Sequence, residues 1–183
     1  MELKDLGYSA FFESKRKTLG LGAYSVARVI AEHKEAYSVK NTTNEYLAKI
    51  TGRQMFNAAS REDYPAVGDW VAITELDSGR ATIHAVLPRK TMLKRKYSDK
   101  NETQVIAANI DVVFAVESVD RDYNLNRLER LLAIAKDGNI KTAIVLNKVD
   151  LIPSTELNFK ITHINSRFKG IGVIPAHTIT DKG

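Results

Sequence analysis

The sequence predicts two domains of different class: a small all-β barrel, then the opening portion of an α/β domain. Three observations carry this. Five short β-type runs separated by turn chemistry fill residues 24–86. Two buried-type apolar runs enclose a helical period between residues 110 and 146. The charge is also divided: residues 1–100 hold 17 Lys and Arg against 12 Asp and Glu, whereas residues 101–183 hold 10 of each.

At the N-terminus, Leu3, Leu6 and Ala10 stand at helical spacing, which predicts a short helix over Leu3–Phe12, broken by Gly20 and Gly22. The β-type runs follow at Tyr24–Ile30, Ala36–Lys40, Glu45–Ile50, Asp69–Thr74 and Arg80–Val86. His33-Lys34-Glu35, Asn41–Asn44 and Asp77-Ser78-Gly79 supply turns between them. Five strands in so short a span read as a closed or nearly closed barrel. An OB-type barrel has this strand count, and so does an SH3-like one; spacing leaves both open. Trp70 is expected to be structural. The first domain is therefore placed at 1–88.

Pro88 then opens a basic stretch, Arg89 to Lys96, read as a linker over 89–104. The second domain is placed at 105–183. Ile110–Val116 is a near-continuous apolar run, the pattern of a parallel strand covered on both faces. From Leu125 to Lys136 the apolar residues fall on one helical face, with Asn124 a suitable N-cap and Gly138 a stop. Thr142–Leu146 is a second buried-type strand, giving a βαβ unit. A weaker helix over 154–168 and a strand over 171–174 complete what is legible.

Apolar residues make up 44% of the chain, enough for a packed core. There are no cysteines, which excludes disulfides, thiolate metal sites and cysteine nucleophiles. The four histidines, at 33, 84, 163 and 177, are too scattered for a metal site to be expected. No run approaches membrane-helix length and no signal core is present, so the expected compartment is the cytoplasm. The basic first half suggests an anionic partner, nucleic acid first, with solvated surface charge the plain alternative.

Asn147-Lys148-Val149-Asp150 follows directly on the second strand, at the carboxyl end where α/β sheets bind ligands. The residue types suit guanine. Its ring N–H and exocyclic amino group are adjacent donors, and an ionised Asp150 can accept from both while mismatching adenine. Asn147 can donate to guanine acceptors and tie loops together. The stem of Lys148 can cover the base plane, its ammonium left in water. As a bare tetrapeptide the motif reads first as a solvated turn; the buried strand before it and Leu151-Ile152-Pro153 after it turn the balance to the guanine reading.

With these residues in place the chain resembles the circularly permuted GTPases that act on the small ribosomal subunit, the RsgA/YjeQ family. The resemblance rests on Ala27-Arg28-Val29, Thr51-Gly52, Val67-Gly68-Asp69-Trp70-Val71 and the basic stretch Arg89–Lys96. It continues through Ala107–Asp111, Arg127–Leu132 and Val145–Leu151. The order, barrel first and Asn-Lys-x-Asp before any phosphate loop, is the specific part. It implies an OB-fold barrel followed by a partial, P-loop GTPase-like α/β domain in permuted order. It also implies GTP or GDP with Mg²⁺, the small subunit and its rRNA as partners, and a monomer. A second guanine-contacting loop should correspond to Ile174–Thr178, where Ala176 would offer its N–H to the guanine oxygen; Pro175 departs from the family's small polar residue.

The larger departure is that no Gly-x-x-x-x-Gly-Lys-Ser/Thr occurs anywhere. No catalytic residue is therefore expected in this chain. The expectation is a piece that stops short of the phosphate loop and of a zinc domain, inactive in hydrolysis alone. For the barrel, Lys40, Lys49, Arg53, Arg89, Lys90, Lys94, Arg95 and Lys96 are the candidate RNA contacts. Tyr37, Tyr46 and Phe56 are either base-stacking aromatics or barrel core. Two other functions compete: a non-catalytic OB-fold RNA- or ribosome-binding protein with a vestigial nucleotide domain, and a DNA-binding barrel in which the tetrapeptide is chance.

Overall fold

The computed structural model describes residues 1–96, 103–121 and 123–177. The chain forms two compact units, Met1–Ile110 and Asp111–Gly183.

In the first unit, a 3₁₀ turn over Leu3–Leu6 ends at Gly7, which adopts φ +90°. The helix, α1, starts only at Ala10 and runs to Thr18. The predicted Leu3–Phe12 helix is thus displaced, because Gly7 reverses the backbone before a second turn can form. Glu13 in the first turn and Lys15, Arg16 and Lys17 in the last complement the helix dipole. Gly20 at φ +68° closes a Schellman cap, with the Leu21 N–H donating to Arg16. Phe12 packs with Trp70, Val26 and Leu87 in a cluster of their own beneath this helix.

The barrel strands are β1 (Ser25–Glu32), β2 (Tyr37–Lys40), β3 (Glu45–Ile50), β4 (Trp70–Glu75) and β5 (Arg80–Val86). They close in the order β1-β2-β3-β5-β4, with β1 pairing β4 antiparallel and β3 pairing β5 parallel. That parallel crossing is a Greek-key order and settles the barrel as OB-type. A register shift between Val29 and Ala31 marks a bulge in β1, the device by which a short strand bends around a small barrel. Alternating residues fill the interior: Val29, Val39, Tyr46, Ala48, Ile73 and Ile83 are all buried. A short helix, α2 (Gly52–Asn57), capped by Thr51, leads from β3 towards β4.

Gly68 shows why the Val-Gly-Asp-Trp-Val segment has its sequence. Its φ is +91°, and a Cβ there would lie 2.1 Å from the Ala108 carbonyl oxygen. The next residue, Asp69, is wholly buried, and its Oδ2 accepts from the Ala66 N–H at 2.8 Å.

The described residues within 89–104 belong to the first unit and not to a linker. Strand β6 (Met92–Lys96) pairs antiparallel with β7 (Thr103–Ala108), and Ala107 bridges to Val67 beside the barrel. Met92, Val105, Ala108 and Ala66 share a small apolar cluster. The basic composition disguised a strand whose apolar contacts come from residues distant in sequence, and the domain boundary accordingly falls at 110/111 rather than 104/105.

The second unit comprises β8 (Val112–Ser118), α3 (Leu125–Asp137), β9 (Lys141–Asn147), α4 (Ser154–Arg167) and β10 (Gly172–Pro175). The three strands are parallel, in the order β10-β9-β8. Asn124 caps α3 as expected, accepting from the Asn126 and Arg127 N–H groups, and Gly138 ends it. Glu117, 1% exposed, accepts from the Asn124 N–H at 2.7 Å and pairs with Arg127 at 2.9 Å, tying β8 to the start of α3. Ala115, Ile144 and Leu146 meet Leu128 and Leu132 of α3 and Ile164 of α4, so both helices cover one face. On β8's other face Val112, Phe114 and Val116 are exposed, where cover on both faces was expected.

Candidate functional site

The carboxyl ends of β8, β9 and β10 are bound together through main-chain groups. The Val119 N–H donates to the Asn147 carbonyl at 3.1 Å, and the Ala176 N–H donates to the Leu146 carbonyl at 2.8 Å. The Val149 N–H in turn donates to the Ala176 carbonyl at 3.3 Å. On this platform β9 stops because Lys148 adopts φ +63°, ψ +34°, the left-handed region that a side chain with a Cβ seldom occupies. A 3₁₀ turn, Val149–Leu151, follows.

Three of the four motif residues carry polar side chains, each placed differently. Asn147 Oδ1 accepts from the Lys148 N–H at 2.9 Å, which fixes the amide plane and supports the left-handed turn. Its Nδ2 makes no hydrogen bond among the described residues and remains a donor. Lys148 reaches across to β8's end, its Nζ 2.8 Å from Asp120 Oδ2. The ammonium is thus held by a carboxylate, where water alone was expected around it. Asp150 is exposed, and its carboxylate makes no hydrogen bond or ion pair among the described residues. Two acceptor oxygens are thereby presented at the sheet's carboxyl edge.

Ala176 corrects the expectation. Its N–H extends the β10–β9 ladder to Leu146 and is already used, so it does not offer a donor to a guanine oxygen. Thr178, in the same predicted loop, lies outside the described residues. Asp120 was missed by sequence reasoning: an acid in the polar run after β8 carries no signal until β8 and β9 are placed side by side.

The basic residues of the first unit separate into two sets. Arg89 is 10% exposed on its side chain, with Nε 2.8 Å and Nη2 2.6 Å from the Asp69 oxygens. It also donates to the Glu62 and Tyr64 carbonyls. Its role is structural, a correction to its assignment as an RNA contact. Its charge compensates a buried carboxylate, and its two bonds to Asp69 and two to the Glu62 and Tyr64 carbonyls pin the 61–66 loop to the residue before β4. Lys40 pairs with Glu45 and Lys94 with Glu62, while Lys90 donates to Ser9 and lies over the Phe11 and Phe12 rings. Lys49, Arg53 and Arg95 are exposed and make no ion pair among the described residues. The side chain of Lys96 lies outside the described residues.

Lys49 lines a groove of about 630 Å³ together with Lys34, Met55, Arg61, Tyr64 and Gln104. Arg95 stands opposite Gln104 in the β6–β7 ladder, and Arg53 lies on α2 two residues before Met55. Tyr37 and Tyr46 are barrel core, 8% and 5% exposed, which removes them as stacking candidates. Burial, then the nearby Glu32, Tyr64 and Asp69, pushes the Tyr37 hydroxyl up to about 12. Phe56, by contrast, is 89% exposed on α2. Lys34, Arg61 and Gln104 were not singled out from sequence, since nothing local marks them as neighbours of Lys49.

For the chemistry of cofactors, the strand end suits a purine base, with one exposed carboxylate, one amide donor and one lysine stem. The sequence has no phosphate loop, and the described residues include no group of three or more acids or histidines able to hold a metal ion. Neither phosphates nor Mg²⁺ are therefore assigned to residues of this chain. No helix among the described residues is long and apolar enough to cross a membrane.

Comparison with known proteins gives concordant results. The family described as RsgA GTPase matches residues 86–183. Small ribosomal subunit biogenesis GTPase RsgA from Opitutus terrae is 41% identical over 163 residues, covering 84% of this chain and 44% of the relative. Small ribosomal subunit biogenesis GTPase RsgA 2 from Lactiplantibacillus plantarum is 36% identical over 158 residues, covering 86% of this chain and 44% of the relative. The chain thus spans less than half the length of these curated relatives. Among solved structures, YjeQ from Thermotoga maritima superposes with a TM-score of 0.63 at 22% identity, covering 83% of this chain and 51% of that one. YloQ, described as a circularly permuted GTPase, superposes with a TM-score of 0.59 at 20% identity, covering 85% and 52%.

Proposed function

From the premise that this chain belongs to the RsgA GTPase family, we propose that it supplies the RNA-binding barrel and the guanine-reading strand end of a GTPase. That GTPase acts in maturation of the small ribosomal subunit. The observation that carries the reading is Asp150, an exposed carboxylate at the carboxyl edge of a parallel sheet, beside the free amide donor of Asn147. Two oxygens of a carboxylate that is exposed, and unpaired among the described residues, match the paired donors of guanine, and no adenine edge offers the same pair. Lys148 adds an aliphatic stem for the base plane.

The division of labour follows. The barrel binds rRNA through Lys49, Arg53 and Arg95 around the groove, with Phe56 available for stacking on an unpaired base. Lys40, Lys90 and Lys94, already paired, add field more than direct contact. The second unit reads the base of GTP or GDP. Phosphoryl transfer needs a phosphate cradle and Mg²⁺, and no residue of this chain is assigned to either, so hydrolysis by the chain alone is not expected. The reading takes the protein to be cytoplasmic and monomeric, with the small subunit and its rRNA as partners.

The test is nucleobase selectivity. In the ¹⁵N-labelled chain, guanosine monophosphate should shift the amide resonances of residues 147–150, and adenosine monophosphate should not. Asp150→Asn should transfer the preference to xanthosine monophosphate. An unchanged preference for guanine in that variant would sink the base-reading role.

A second reading, a non-catalytic ribosome-binding protein with a vestigial nucleotide fold, is favoured by the charge asymmetry: the whole net charge of +5 resides in residues 1–100. Co-sedimentation with small subunits separates the two. Association indifferent to guanine nucleotide supports the second reading; nucleotide-dependent association supports the first.

A further inference from the structure

Lys148 is an awkward base-covering residue when considered alone. A lysine stem has four rotatable bonds, and a charged head free in water leaves the stem without a fixed direction. In this structure the head is held. Asp120, in the turn after β8, is 26% exposed on its side chain and lies 2.8 Å from Lys148 Nζ. The two residues lie just beyond the ends of neighbouring parallel strands, which are paired to their last residues, Ser118 with Asn147. The Val119 N–H bond to the Asn147 carbonyl then fixes the spacing of the two turns. The left-handed backbone of Lys148, supported by the Asn147 side chain, sets the direction in which the stem leaves β9.

From this geometry we infer that Asp120 is a positioning residue for guanine recognition: it stretches the Lys148 stem across the β9–β8 gap as a preformed wall for the base. The inference rests on the guanine reading proposed above. The chemistry divides in a way that can be measured. A lysine stem packs on any purine plane, so Asp120 governs affinity for every purine base alike. Asp150 reads the donor pattern, so it governs selectivity. Asp120 touches no substrate atom; it acts through Lys148 and reduces the ordering that binding would otherwise require.

The experiment uses the whole chain, with guanosine and xanthosine monophosphates as probes and amide chemical shifts as readout. Asp120→Asn should weaken guanosine monophosphate by about fivefold, the scale of one partly exposed ion pair. The guanine-to-xanthine preference should stay unchanged, and Asp120→Glu should restore most of the loss. The Lys148 side-chain methylene order parameters should fall in Asp120→Asn without any ligand. Asp150→Asn run in parallel separates the failures. If Asp150→Asn switches preference but Asp120→Asn binds as wild type, Asp120 has no positioning role and the guanine reading survives. If Asp150→Asn changes nothing, the guanine reading fails and this inference with it. If Asp120→Asn alters selectivity, Asp120 contacts the base and the positioning role is overturned.

Discussion

The Asp69 carboxylate, 0% exposed, is held by the Arg89 guanidinium through two near-parallel hydrogen bonds, Nε to Oδ1 at 2.8 Å and Nη2 to Oδ2 at 2.6 Å. The pair joins the start of β4 to the segment beyond β5, and Asp69 also caps the Ala66 N–H. A buried charge that loses its partner is costly, about 3–5 kcal/mol. Arg89→Met should therefore lower the unfolding free energy by that amount in urea titration. Arg89→Met combined with Asp69→Leu should cost less than the sum of the single changes. Additive costs would show that the pair is not coupled.

Gly68 is required by backbone and by space at once. Gly68→Ala places a residue with a Cβ at φ +91° and drives that Cβ into the Ala108 carbonyl. The backbone strain is about 1–3 kcal/mol, with the clash in addition. Gly22 is the control, having ordinary φ and nothing within 4 Å of a built Cβ. Gly22→Ala should leave the melting temperature unchanged or slightly raised. Equal effects of the two substitutions would remove the close-approach argument.

The groove and its rim predict the salt response of RNA binding. Lys49, Arg53 and Arg95 are three exposed cations in or near the groove that make no ion pair among the described residues. Replacing all three with Gln should flatten the log–log dependence of affinity on salt by roughly two units for single-stranded rRNA. Phe56→Ala should weaken binding by about 1–3 kcal/mol without changing that slope, because stacking is insensitive to counterions. A slope unmoved by the triple change would place the RNA surface elsewhere.

What the sequence made legible follows from where each signal resides. The barrel strands alternate, so each one is readable within its own few residues; β3 and β5 fall at the predicted bounds, and the others within two residues of them. Asn124 was readable because capping is local, its side chain accepting from amides two and three residues on. The β6–β7 hairpin was hidden because Lys94, Arg95 and Lys96 look like linker, and their strand is stabilised by partners at 62, 66 and 103–108. Arg89 was misread for the same reason, since its carboxylate is twenty residues upstream. Phe114 was expected to be covered on an apolar strand, yet it is 58% exposed, because burial depends on which layers pack against a sheet and not on the strand's composition. That Asn147 ends a buried strand and Asp150 lies just beyond it was legible, whereas the engagement of the Ala176 N–H was not: whether a main-chain amide is free depends on the ladder it joins.

Alkaline pH should destabilise the first unit in a defined window. The hydroxyl of Tyr8 is raised to about 12 by burial and by its hydrogen bond to Glu13, and that of Tyr37 to about 12 by burial and neighbouring acids. Unfolded tyrosines ionise near 10. Between about pH 10 and 12 the unfolded chain has released these protons and the native chain has not, so the native state binds more protons and stability falls as pH rises. Below pH 10 both states hold them and no dependence on these groups is expected. Urea unfolding from pH 8 to 11.5 should show a flat region and then a decline. Tyr37→Phe and Tyr8→Phe should each make that decline shallower, and a decline equally steep in both variants would assign it to other groups.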